Sequence, residues 1–223
     1  MNEPVTVAAL MTGRIARLPG GKRSAIAKHP VAGPVAVTRL GLAGDRQANR
    51  RHHGGPEMVV HLYPRTHHRW WKREIGDHSL LADPGAFGSN LAIDGIDERD
   101  VCIGERFRLG SALLEVSQPR KPCATIEQRF ERGGMVAAII SSGRCGWYMR
   151  VIAEGIAEAG DALVPVVGSG IGVTVREAFA AAVDPAAAPP RALLADLAAA
   201  PALADEWRAR IAVRLARLAK PEG

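Results

Sequence analysis

The sequence predicts a mainly β protein, a barrel or sandwich of short strands followed by a small helical C-terminal domain. Three features carry this reading. Gly and Pro recur at short intervals up to about residue 167, and the segments between them are short and partly alternating. Long helical patterns are few there. After VPVVGSGIG the composition turns Ala-rich and helical, which places the domain boundary between residues 167 and 168.

Taken in order, GPVAVTRLGLAGD, SNLAIDGID, RDVCIGERFRLG and SALLEVSQP have the lengths and bounding residues of barrel or sandwich strands. Asp94-Gly95 has hairpin-turn chemistry. Two helices interrupt the strands: YPRTHHRWWKREIG, entered after a proline and ended by Gly76, and the segment around CATIEQRFERGG. Trp70, Trp71, Glu74 and Ile75 share a mixed face of the first, which assigns the tryptophans to packing. In the tail, Thr174 with Glu177 forms a capping box opening VREAFAAAV. Pro189-Pro190 opens RALLADLAAA, and Pro201 opens ALADEWRARIAVRLARLAK. Leu203, Trp207, Ile211, Leu215 and Leu218 line one apolar stripe, with Arg208, Arg210, Arg214 and Arg217 on a solvated opposite face. Each helix is too short to stand alone, so the three must pack on each other, on the β-domain or on a second subunit.

Composition narrows the function classes. MNEPVTVAALMTGR lacks the regions of a signal peptide, and no run reaches the roughly 18 apolar residues of a membrane span. Cys102, Cys123 and Cys145 are too few, and odd in number, for a disulfide framework, and their spacing fits no zinc template. A cytoplasmic location is the expectation. The net charge of +6 is uneven: residues 1–75 hold 13 Lys and Arg against 4 Asp and Glu, a surplus of +9, together with six of the seven histidines. Such a region attracts an anionic ligand. A nucleic-acid polymer is disfavoured, because aromatics are only 4% of residues and no stacking or recognition-helix signature is present.

Cys123 is the leading chemical candidate. SALLEVSQ reads as a strand, and Pro119 lacks the N–H needed to extend a ladder, so the chain leaves the sheet just before the cysteine. Pro122 stiffens the approach, and Arg120 and Lys121 favour a thiolate where their charges face it. A nucleophile, a metal ligand and an inert loop thiol all remain open. Cys102, inside VCI, reads as a small core residue. In GLAGDRQANRRHHGG, glycines interleave with Asp45, Arg46, His52 and His53 as a ligand-organising loop. SSGRCGWYMR is either a tight turn into a helix or a glycine-shaped loop presenting Arg144 to an anion. PGAFGSNL ends on Asn90, which can both donate and accept.

The ordered series GLAGDRQ, HHGGPE, YP, WW, PGAFGSNL, VCIG, SQPRKPC and SGRCGWYMRV resembles the MOSC domain, named for the C-terminal domain of molybdenum cofactor sulfurases. The tail, VREAFAAAV, RALLADLAAAPAL and DEWRARIAVRL, is similar to the three-helix domain that follows MOSC in the branch associated with 6-hydroxylaminopurine resistance. The resemblance runs from about Gly13 to Leu218. It implies a MOSC-type β-barrel, similar to the pyruvate-kinase β-barrel, with peripheral helices and bound molybdenum cofactor. Cys123 matches the protein ligand to molybdenum. Asn90 matches the cofactor-site asparagine, and Lys28, His53, Arg120 and Arg144 the basic cleft around the pterin phosphate. Family-level association with pyridoxal phosphate comes with the same resemblance. Departures lie at Ser89, where the branch commonly has an acid, at Met58, where it has lysine, in SAIAKHP, and at Gly88, where related sulfurase proteins have arginine.

The activity so implied is reduction of N-hydroxylated compounds, such as 6-hydroxylaminopurine, to amines. Breaking N–O needs two electrons and two protons, with His53 or His52 delivering the proton. The chain has no flavin or iron–sulfur motif, so electrons come from a separate reductase. A carrier or delivery protein using a Cys123 persulfide or thiolate is the rival reading. A homodimer through the helical tail is a further expectation.

Overall fold

The computed structural model describes residues 3–48 and 54–218. In chain order the elements are β1 (Val5–Gly13), β2 (Ala16–Arg17), β3 (Arg23–Ser24), β4 (Lys28–Pro30), β5 (Val35–Thr38), β6 (Gly41–Leu42), β7 (Val60–Pro64), α1 (His67–Ile75), β8 (Leu91–Ile93), β9 (Arg106–Leu109), β10 (Ala112–Pro119), α2 (Thr125–Phe130), α3 (Met135–Ser142), β11 (Trp147–Ala153), β12 (Gly155–Ala157), β13 (Ala162–Pro165), α4 (Val175–Val183), α5 (Arg191–Ala199) and α6 (Asp205–Arg217).

Seven strands close a barrel in the order β13-β9-β10-β11-β7-β8-β1, sealed where Val5 and Thr6 of β1 pair with Leu163 and Ala162 of β13. Only β7–β8 is parallel within that ring. Closure leaves no open edge in the ring. β1 is long enough to run past it, so Gly13 at its far end pairs with Lys28 of β4 and carries that lysine above the barrel mouth. Period-two burial is clear in β9, where Phe107 and Leu109 point inward between exposed Arg106 and Arg108. β10 departs from it: seven of its eight residues are buried. One face of β10 looks into the barrel, and the other is covered by the tail.

That cover explains the helical segment. Phe179, Leu194, Leu197, Leu203, Trp207 and Ile211 join the same apolar core as Leu114 and Val116 of β10. The Ala204 N–H donates to the Ser117 carbonyl at 3.0 Å, and Arg150 Nη2 donates to the Ala202 carbonyl at 2.8 Å. The expected capping box is formed, with the Glu177 N–H donating to Thr174 Oγ1 and the Thr174 N–H to Glu177 Oε2. The position expected for a domain boundary falls in the connection between β13 and α4.

Several local expectations are corrected. Asp94-Gly95 turns the chain, but β8 pairs with β1 and β7, so it closes no hairpin. The last helix begins at Asp205, three residues beyond the start expected after Pro201. Leu218 ends the apolar stripe exposed. Arg214 is not solvated: its Nη1 donates to the carbonyls of Ala180, Ala181 and Asp184, and Nη2 to that of Ala187, closing the C-terminus of α4. SSGRCGWYMR is the exit of α3 followed by a strand, β11, rather than an entry into a helix. Cys102 is half-buried, bridged to Thr174, rather than a core residue.

Candidate functional site

A cavity of about 450 Å³ opens where the ends of β7, β10 and β11 meet the loops around residues 22–28, 46–48 and 85–90. Five cations border it: Lys22, Lys28, Arg46, Arg120 and Lys121. Glu206 is the one carboxylate among its described lining residues. Cys123, half-buried, lies on its wall just after β10 has left the sheet.

Asp45 organises this mouth although it was expected only as part of a glycine-rich loop. Its Oδ1 accepts the Gly13 N–H at 2.7 Å; its Oδ2 accepts Lys28 Nζ at 2.6 Å and Asn90 Nδ2 at 2.9 Å. One carboxylate therefore joins the end of β1, the buried lysine of β4 and the asparagine before β8. Burial lowers the Lys28 pKa from its ordinary value, and Asp45 opposes that shift. Asn90 is engaged on all sides: Nδ2 also donates to the Met11 carbonyl at 3.1 Å, and Oδ1 accepts the His61 N–H at 3.0 Å. It lines the cavity chiefly as a residue that positions β1, β7 and Asp45.

The loop before Asn90 depends on glycine. Gly88 has φ 77°, and a Cβ there would stand 2.7 Å from Ile26 Cγ1, so the loop lies closer to its neighbour than a side chain allows. Arg129 of α2 holds the loop from beneath, donating from Nε to the Ala86 carbonyl at 2.7 Å. Gly88 brings no charge to the cavity; Arg120 and Lys28 supply it there.

His61 and Tyr148 complete the floor. His61 is buried; its Nδ1 lies 3.2 Å from the Gly88 carbonyl, and its Nε2 has no hydrogen-bond partner among the described residues. Burial pushes its pKa well below 6.5, and the charges of Arg120 and Lys28 add to the shift. Both effects favour the neutral imidazole. The Tyr148 ring lies 4.9 Å from it, and burial raises the phenol pKa. Sequence reading missed both residues, although a polar side chain inside VVHLY and the alternation around Trp147 and Met149 were the available signals. It also missed the contribution of the tail, since Glu206 and Trp207 of α6 border the cavity.

Lys28, Asn90, Arg120 and Cys123 are thus brought together. His53 and His52 lie outside the described residues. Arg144 is elsewhere: it borders a second, smaller cleft, with its guanidinium 4.6 Å over the Trp70 ring. The expectation that it shares the cleft with Cys123 is corrected, because α3 ends at Ser142 and the turn to β11 presents Arg144 toward α1 rather than the barrel mouth. Cys145 is fully interior; burial, with Glu98 adding, raises its pKa well above 9.0.

The family model for the MOSC domain matches residues 49–164, and Protein YiiM of Escherichia coli (strain K12) is 43% identical over 182 residues, 82% of this chain and 80% of that one. The chain belongs to the MOSC domain family. A protein named Reductase from Gibberella moniliformis (strain M3125 / FGSC 7600) is 38% identical over 164 residues, 72% of this MOSC protein but only 29% of the fungal chain. The crystal structure of YiiM from Escherichia coli superposes with a TM-score of 0.79 at 31% identity, covering 99% of this chain and 96% of that one. The MOSC barrel and the C-terminal helices are shared features, and the family is associated with molybdenum cofactor.

The residues present fit such a group. Cys123 is a thiol among the described residues that line the cavity, and a thiol is a soft donor of the kind such a metal takes. The five bordering cations suit a phosphorylated pterin.

Proposed function

We propose that the protein is a molybdenum-cofactor-dependent reductase that converts N-hydroxylated compounds, N-hydroxylated purine bases among them, to amines in a detoxifying role. One observation carries the reading: a half-buried thiol, Cys123, on the wall of a cavity bordered by five cations. Cys123 would ligate the metal, and Lys28, Arg120 and Lys22 would hold the phosphate side of the pterin. When bound, the cofactor supplies the two-electron couple that N–O cleavage requires.

The chain's own residues orient and exclude. Trp207 and Pro122 wall the cavity against water, and Tyr148 and Gln118 present hydrogen-bonding groups to a heterocyclic substrate. His61, held neutral, is a poor proton donor at physiological pH, so proton delivery is assigned to His53. Electrons would reach the site from a separate reductase. The protein is proposed to act in the cytoplasm, with a homodimer as its assembly.

Purification from a molybdenum-replete host, with molybdenum and pterin measured per chain, tests the reading. The expected result is close to one of each in the wild type, loss of metal in Cys123→Ala, and reduction of 6-hydroxylaminopurine with an artificial electron donor. Cyanide-releasable sulfur on Cys123 without molybdenum would favour a sulfur carrier instead, and a pyridoxal phosphate chromophore would point to the other family-level ligand.

A further inference from the structure

Barrel and tail are fastened together beside the cavity of Cys123. The register of β10 on β11 slips by one residue there: Val116 faces Met149 and Gln118 faces Tyr148, which leaves Ser117 as an extra residue on its strand. A bulged residue has no place in the ladder, and Ser117 directs its groups outward. Its carbonyl accepts the Ala204 N–H at 3.0 Å, and its hydroxyl donates to the Glu57 carbonyl at 2.5 Å.

Arg150 reaches the same two segments from the neighbouring strand. It stands directly across from Glu115, whose Oε1 accepts from Nη1 at 2.8 Å and whose Oε2 accepts from Arg106 Nε at 2.7 Å. With one arm of the guanidinium so fixed, Nη2 donates both to the Glu57 carboxylate and to the Ala202 carbonyl, the latter at 2.8 Å. The Arg150 side chain is only 17% exposed and that of Glu115 8%, so water competes weakly for these bonds.

Each partner leads to a wall of the cavity. Glu57 belongs to the single turn Pro56–Met58, and Met58 lines the cavity. Ala202 and Ala204 lie in the connection from α5 into α6, and Glu206 and Trp207 of α6 line it too. Arg150 itself is not among the lining residues. We propose that Arg150 is a positioning residue for this site: by gripping Glu57 and Ala202 with one nitrogen it sets the Met58 wall and the α6 wall in fixed relation. Lysine cannot do the same, because it has a single nitrogen where the guanidinium sends one arm to Glu115 and another to the two walls. The catalytic meaning of the grip rests on the function proposed above, whereas the grip itself does not.

Arg150→Met keeps an unbranched stem and removes the fork. In the full chain produced without molybdenum, iodoacetamide labelling of Cys123 and Cys145 is followed by mass spectrometry. The expected result is labelling of Cys123 about tenfold faster than in the wild type with the rate at Cys145 unchanged, the mark of local opening at the walls rather than global unfolding. Glu57→Ala cuts one arm of the grip and should give a smaller rise of about threefold, which keeps the test available if Arg150→Met does not fold. Wild-type rates at Cys123 in the variants overturn the proposal, as do equal rises at Cys123 and Cys145, since the arginine would then hold the whole fold and not the walls. In the loaded enzyme, with 6-hydroxylaminopurine and an artificial donor, Arg150→Met should raise KM about tenfold and change kcat by less than about twofold. An unchanged KM in a folded variant overturns the catalytic meaning. An inactive wild type would count against the function proposed above, and the labelling rates would still decide the grip.

Discussion

The two basic hollows of this protein are built from the same kinds of residue and reach opposite states. At the barrel mouth, Lys28 is tied to Asp45 and Lys22 to Thr125, so these cations are held in fixed places around a thiol. In the smaller cleft Glu98 is bonded to His67 and Asp97 to Arg99, the Arg144 guanidinium rests on the Trp70 ring, and no thiol stands among the described lining residues. The difference teaches that a positive lining alone does not define a site. What matters is whether each charge is already answered by the fold, and whether a reactive atom stands among them.

The largest expected effect comes from removing the organiser of the mouth. Asp45→Ala leaves a buried lysine unpaired and frees Asn90 and the Gly13 N–H, so it should destabilise the protein by about 3 kcal/mol in urea unfolding. A loss below about 1 kcal/mol would mean that Asp45 holds nothing together. Next comes Glu98→Ala, which orphans His67 and the Gly146 N–H at about 1–3 kcal/mol for each donor left unsatisfied. Glu98→Gln, which keeps an acceptor for Gly146, should lose less, and equal losses would mean that the Gly146 hydrogen bond contributes nothing.

A smaller effect is carried by pH. Below 6.5 the unfolded chain takes up a proton that buried His61 refuses, so stability falls as the solution is acidified. The slope approaches about 1.4 kcal/mol per pH unit for a single group. His61→Gln should flatten the decline in that acid window, and an unchanged slope would mean that the imidazole is protonated in the folded state. The mildest test is thiol labelling of the native protein. Cys123 should react first, Cys102 slowly because burial and Glu105 raise its pKa, and Cys145 only on unfolding.

Much of the fold was legible. β9 and β10 were visible in their alternation and bounding glycines, α1 in its ending at Gly76, and the start of α4 in the Thr174–Glu177 box, because each signal is local. Cys123 could be singled out because prolines on both sides of Arg120-Lys121 dictate where the strand must stop. Arg214 and Arg144 were misplaced for a common reason: where an arginine's guanidinium goes depends on which carbonyls or rings a distant element brings near, and no local pattern records that. His61 was overlooked because a polar residue in an apolar strand looks the same whether it faces a cavity or a neighbouring ring.

By itself the chain of residues determined the strand-rich body, the helical tail and the stiffly presented cysteine, since turn chemistry, periodicity and proline geometry act over a few neighbours. Tertiary structure alone decided that Asp45 binds three separate elements, that α6 walls the mouth with Trp207, and that Arg144 and Arg176 meet in a cleft of their own. Those outcomes depend on barrel closure, which brings together groups as far apart in the chain as Val5 and Leu163. Hydrogen bonds and charge pairing act only across the few ångströms that closure creates.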